Sequence, residues 1–213
     1  MDIEQLVART AVAGMYHVQS FFELEGTRAW NVDLETGQLT FTGGGTYGAE
    51  LLGTAADDDQ SFRWAWANPS VAPGRFGLAA AVREFGAEHE VHPLDLDQFV
   101  APAPLPLALL CVGLALSGAG AGFTPKTDRG NACFLVLLPE PFPPPDLAQL
   151  TTSISAVIAT FAVPHRLVVE GAGEAWEWAV EPGPDALVLL HPEGPLLIMF
   201  DDAGRIAELS SAG

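Results

Sequence analysis

The sequence predicts an α+β fold, an antiparallel β-sheet (or sheets) packed with three to four helices. Three observations predict it. A few segments carry apolar residues at helical spacing, beginning with Ile3, Leu6, Val7 and Thr10. Many others alternate apolar and polar residues over four to eight positions, as half-buried strands do. The 22 glycines and 17 prolines fall mostly between these segments, so many short elements are joined by tight turns. Short connections between strands impose antiparallel pairing.

The elements follow in order. Asp2 caps a first helix, with Gln5 at the capping-box position, and helical spacing persists to about Phe22. Arg28–Glu35 alternates with Trp30, Val32 and Leu34 on one side. Thr36-Gly37 turns the chain, and Gln38–Thr42 returns with Leu39 and Phe41 inward. Gly43-Gly44-Gly45 bends it again before a third strand, Tyr47–Thr54, and a solvated Asp57-Asp58-Asp59 loop. A fourth strand, Ser61–Asn68, would set Phe62, Trp64, Trp66 and Asn68 on one face. Ser70 then caps a helix to Phe85, with Pro73 in its first turn and Gly86 past its end.

The proline-rich Ala101–Pro106 stretch is the expected internal boundary, dividing the chain into an N-terminal half, 1–100, and a C-terminal half, 101–213. The second half opens with an apolar helix at 107–117 and a strand pair near Gly122-Phe123 and Ala132–Leu138. Asp146 caps a helix to about Phe161. Strands are then expected at Arg166–Val169, Glu174–Glu181, Ala186–His191, Leu196–Asp201 and Arg205–Leu209. Leu196–Phe200, apolar throughout, reads as a central strand covered on both faces. Trp176 and Trp178 echo Trp64 and Trp66, and an old duplication, giving two related halves, is one origin for the echo.

Charge narrows the function classes. Twenty-seven acidic residues oppose nine basic ones, a net charge of −18. Such a body repels phosphate backbones and anionic lipid, which argues against nucleic-acid and membrane partners and suits a basic protein partner, metal cations or plain solubility. The uncharged run Gln98–Pro125 is broken by prolines and glycines, and its strongly apolar part, Leu107–Leu116, is too short to span a bilayer. Cys111 and Cys133 lie in apolar runs and read as buried free thiols in a reducing cytoplasm. The N-terminus, with Asp2 and Glu4, lacks the pattern of a secretory signal.

No catalytic, metal or cofactor set assembles from spacing. His89 and His92 precede Pro93 in a loop, so their rings do not share a helical face. Asp57-Asp58-Asp59 lacks the spacing of a calcium loop, and Gly43-Gly44-Gly45 lacks the lysine of a phosphate loop. Trp64, Trp66 and Asn68, with Trp30 and Asp33 nearby, are the candidate ligand-binding residues, an apolar wall with a few orienting polar groups. Against that stands the reading in which the tryptophans are core and Asn68 satisfies a local turn.

Ala49-Glu50-Leu51-Leu52-Gly53-Thr54, followed by Phe62–Asn68 and Ser70, resembles the signature of an uncharacterised bacterial protein family, a domain of unknown function with a Trp-x-Trp-Ala-x-Asn-like block. The resemblance spans most of the chain. It implies a bacterial cytosolic protein and transfers no catalytic residue. Three functions are carried forward. The first is an acidic soluble binding protein docking a basic partner, as an immunity-type inhibitor or adaptor does. The second is a small-molecule-binding domain with a tryptophan-lined pocket. The third is a hydrolase whose histidines meet a carboxylate or Cys111 in a cleft.

Overall fold

A computed structural model describes residues 1–211. Among the described residues there are five α-helices, and twelve strands form two antiparallel sheets, one of eight strands and one of four. The chain divides into two compact units. One holds His17–Phe142 with Met1, and the other holds Asp2–Tyr16 with Pro143–Gly213. Helix α1 (Ile3–Glu25) is shared, giving its first part to the second unit and its last turns to the first. The expected boundary near residue 100 therefore falls inside the first unit.

In the first unit, β1 (Trp30–Asp33), β2 (Gln38–Phe41), β3 (Thr46–Ala56), β4 (Ser61–Trp64) and β5 (Gln98–Val100) pair in that order. The far edge of β3 pairs with β8 (Gly130–Leu137), which also pairs with β6 (Ala121–Phe123) and the short β7 (Lys126–Thr127). Strand β3, at eleven residues, is the spine, and a register shift between Leu51 and Gly53 lets both Leu51 and Leu52 point into apolar surroundings. Helix α3 (Leu105–Ser117) is buried from Ala108 to Leu114, as its nearly uniform apolar sequence demands. Phe21 of α1 meets Phe41, Tyr47 and Phe123 edge-on at 5.2–6.1 Å, locking the last turns of α1 onto the sheet.

Two expectations are corrected here. The tryptophan strand ends at Trp64, and Ala65–Ala67 is a single 3₁₀ turn, so Trp66 and Asn68 do not continue its inward face. Helix α2 spans Gly77–Glu88 rather than starting at Ser70. Asn68 Oδ1 accepts the Ser70 amide at 3.0 Å, and turns closed by Val71 N to Asn68 O and Arg75 N to Ala72 O carry the chain onward. The N-terminus of α2 receives its acceptor from a distant strand, because Glu50 Oε1 takes the Leu78 amide at 2.7 Å. A carboxylate brought from another element satisfies orphan helix donors as a local cap would.

In the second unit, Asp146 caps α4 (Leu147–Thr160), as expected, and Gln149 completes a capping box. Arg166–Val169, read above as a strand, belongs to helix α5 (His165–Trp176), and Trp176 ends that helix rather than lying on a strand. The physical reason is close packing. A Cβ on Gly171 would overlap the Arg9 backbone, so this glycine is where α5 approaches α1. Strands β9 (Val180–Pro182), β10 (Ala186–His191), β11 (Gly194–Phe200) and β12 (Ile206–Ser211) make a four-stranded sheet in the order β12-β11-β10-β9. One face buries Leu187, Leu189, Leu196 and Ile198, with α5 packed against β9 and β10. Strand β11 is interior to the sheet, but Leu197 is 37% exposed, so its second face is not covered.

Candidate functional site

A cavity of about 950 Å³ opens in the first unit where β3, β4 and β5 meet the hairpin of β7 and β8. Register builds its floor. Thr54 pairs with Arg63 across β3 and β4, and Arg63 pairs with Gln98 across β4 and β5, so the three side chains share a row. The Arg63 guanidinium donates to Gln98 Oε1 at 3.0 and 2.8 Å. The wall is acidic. Asp57, Asp58 and Asp59 line it where β3 turns into β4, and Asp128 joins them from the opposing hairpin with Arg129.

These carboxylates are arranged by local hydrogen bonds. Asp59 Oδ1 accepts the Ser61 amide at 2.9 Å, and Asp58 Oδ1 accepts the Asp59 amide at 2.8 Å. Bonds from the Ser61 side chain and backbone hold the exposed Asp59 carboxyl below its ordinary range, so it is anionic at neutral pH. The Asp57 carboxylate pairs with the Lys126 ammonium, and its amide donates to Arg129 O at 3.0 Å, tying the acidic loop to the hairpin. Four carboxylates thus face two guanidiniums, one of which already rests on a neutral amide. Exposed carboxylates bind cations and accept hydrogen bonds. Among the described residues, no group of three or more His, Cys, Asp or Glu side chains is placed to hold a metal ion.

Of the candidate residues, Asn68 lines this cavity and the tryptophans do not. Trp64 is fully buried, and its Nε1 donates to Pro93 O at 3.2 Å. Trp66 stacks on Trp64 with centroids 4.8 Å apart and planes 11° from parallel, and its Nε1 donates to Asp97 Oδ1 at 3.1 Å. Arg83 of α2 lies 5.3 Å over the Trp66 ring, completing a column of guanidinium and two indoles. Phe62 meets Trp64 edge-on at 4.9 Å, and a Cβ on Gly53 would strike the Phe62 ring, so the Leu-Gly-Thr and Trp-x-Trp segments fit each other directly. Trp30 is half-buried, edge-on to Phe123 at 5.7 Å. Asp33 is exposed and holds the turn between β1 and β2 by accepting the Glu35 and Thr36 amides at 2.8 and 3.1 Å, and bonds from the Thr36 side chain first, then from these amides, keep its carboxyl below the ordinary range. The candidate set is thus dispersed over the first unit.

His92 Nδ1 is 2.6 Å from Asp95 Oδ1 on an exposed loop, and His89 packs on Phe85 at 4.3 Å. Burial pushes the Cys111 and Cys133 thiols up to about 12. Glu25, buried at the end of α1, accepts the Tyr47 hydroxyl, the Gly45 amide at 3.0 Å and Arg28 Nη1 at 3.3 Å. The triple-glycine bend therefore wraps a carboxylate of the chain itself. Sequence reasoning missed Gln98, Asp128 and Arg129, whose membership depends on strand pairing over long separations; the polar row Thr54, Arg63 and Gln98 leaves no local periodic signal.

Neither a curated protein nor a solved structure matches the chain. Residues 4–141, which span nearly all of the first unit, match the model of a family of unknown function (DUF6882), and the chain belongs to that family.

Proposed function

We propose that this chain is a binding protein that docks a basic protein partner, as an immunity-type inhibitor or adaptor does, with the acidic groove of the first unit receiving a lysine- or arginine-bearing segment. The observation that supports this reading is the groove wall, with Asp57, Asp58, Asp59 and Asp128 against Arg63 and Arg129 in a cavity of about 950 Å³. The net charge of −18 adds long-range attraction for cationic partners and repels nucleic acid. A bacterial cytoplasm, where free thiols stay reduced, is the setting this reading assigns.

The test is titration of the full chain with a short lysine-rich peptide, followed by calorimetry at several salt concentrations. Asp58→Asn/Asp128→Asn leaves the Asp57–Lys126 pair and the Asp59 turn in place. It should weaken binding roughly tenfold at low salt and flatten the salt dependence. Unchanged affinity in that variant would overturn the groove assignment. A second reading, a small polar ligand oriented by Asn68 in the same groove, is favoured by the position of that amide alone. A metabolite panel that raises the melting temperature of the native chain but not of Asn68→Ala would support it.

A further inference from the structure

The uncovered face of the four-stranded sheet carries an ordered pattern. Register pairs Val188 with Leu197, Ala186 with Met199 and Leu190 with Pro195, so these six side chains form one apolar patch two strands wide. Leu190 is 40% and Leu197 37% exposed, while the alternate residues Leu187, Leu189, Leu196 and Ile198 are buried on the opposite face. The same registers place an acid on each border. Glu181 of β9 pairs with Val188, and Glu208 of β12 pairs with Met199. Both glutamates are exposed. The patch lies beyond residue 141, where the family match ends.

We infer that this face docks an amphipathic helix of a partner protein whose apolar stripe is flanked by lysines or arginines. Spacing and charge point to that occupant. Strands β9 and β12 are three steps apart, about 14 Å at ~4.8 Å per step, and a helix with its side chains is about 10–12 Å across. A helix lying along the seam of β10 and β11 would bury its stripe on Val188, Leu190, Leu197 and Met199. Basic residues on its two borders then reach Glu181 on one side and Glu208 on the other. A second copy of the chain is a poor occupant, because face-to-face packing sets these glutamates against their own kind on bodies of charge −18. The inference is independent of the groove in the first unit.

The full chain is titrated against a labelled helical peptide of about 18 residues, ~27 Å long, with a leucine stripe flanked by lysines. Two control peptides are used, one with the leucines scattered around the helix at the same charge, the other with glutamates replacing the lysines. Anisotropy at about 0.15 M salt should show the striped lysine peptide binding at least ~10-fold more tightly than either control. Leu197→Asp should weaken it by roughly tenfold or more. Glu181→Lys/Glu208→Lys should transfer preference to the glutamate peptide, while Asp58→Asn/Asp128→Asn leaves binding unchanged. Circular dichroism verifies that these surface variants fold. Equal affinity for striped and scattered peptides, or indifference to both the Leu197 and the glutamate substitutions, would overturn the inference. So would a concentration-dependent dimer that Leu197→Asp abolishes, since the face would then join two copies.

Discussion

Trp64 and Trp66 show how one dipeptide repeat serves two environments. Trp64 sits on the buried side of β4 with its indole nitrogen satisfied by Pro93, so its removal leaves a large cavity that cannot collapse around a stacked partner. Trp64→Ala should cost about 3–5 kcal/mol in urea unfolding. Trp66 is half-exposed and held by stacking, by Arg83 and by Asp97, and Trp66→Ala should cost about 1–2 kcal/mol. Equal costs for the two would contradict this division of roles. Trp176 and Trp178 also stack, with centroids 5.1 Å apart and planes at 29°, yet Trp176 ends a helix where Trp64 ends a strand. The resemblance lies in the side-chain stack and not in the backbone.

At the scale of elements, several ends are held by side chains from elsewhere in the chain. Glu50 satisfies the start of α2, Glu193 Oε2 takes the Leu147 amide of α4 at 3.0 Å, and His165 Nδ1 takes the Ile206 amide of β12 at 2.9 Å. The last contact is sensitive to pH, because an imidazole protonated at Nδ1 cannot accept. Burial, aided by nearby Arg205, lowers the His165 pKa from its ordinary 6.5. A histidine depressed in the folded state binds fewer protons than in the unfolded chain. Its contribution is therefore complete above 6.5 and is lost as pH falls through 6.5 toward the folded value. His17, lowered by burial, acts in the same direction. Amide exchange in β12, corrected for its intrinsic pH dependence, should lose protection as pH falls below 6.5, and His165→Gln, which keeps an acceptor, should blunt the change. Protection in β12 that is unaltered over this range would contradict the role assigned to His165.

Over the whole molecule the dominant quantity is charge. With 27 acidic and nine basic residues, folding brings like charges together, and added salt screens that repulsion. The melting temperature should rise between about 0.01 M and about 0.15 M sodium chloride, where scattered surface ion pairs alone would lower it. Among the described residues, no helix is long and apolar enough to cross a membrane; α3, the most apolar, has thirteen residues and is buried within its unit.

Period, cap and turn chemistry within a few residues encode the α+β class, helix α1 with its Asp2 cap, the Asp146 cap and the β-meander from Ala186 onward. Tertiary structure alone decided the rest. Helix α5 forms where Arg166–Val169 reads as a strand, since Gly171 admits the α1 backbone at Arg9. Helix α2 starts at Gly77 because Glu50, 28 residues before Leu78, accepts the Leu78 amide. The groove joins Thr54, Arg63 and Gln98 by register, and the apolar seam of β10 and β11 is open, with Leu190 and Leu197 exposed. Local spacing encodes which residues share a face; which faces meet depends on pairings between distant segments, and the candidate sites are made of those pairings.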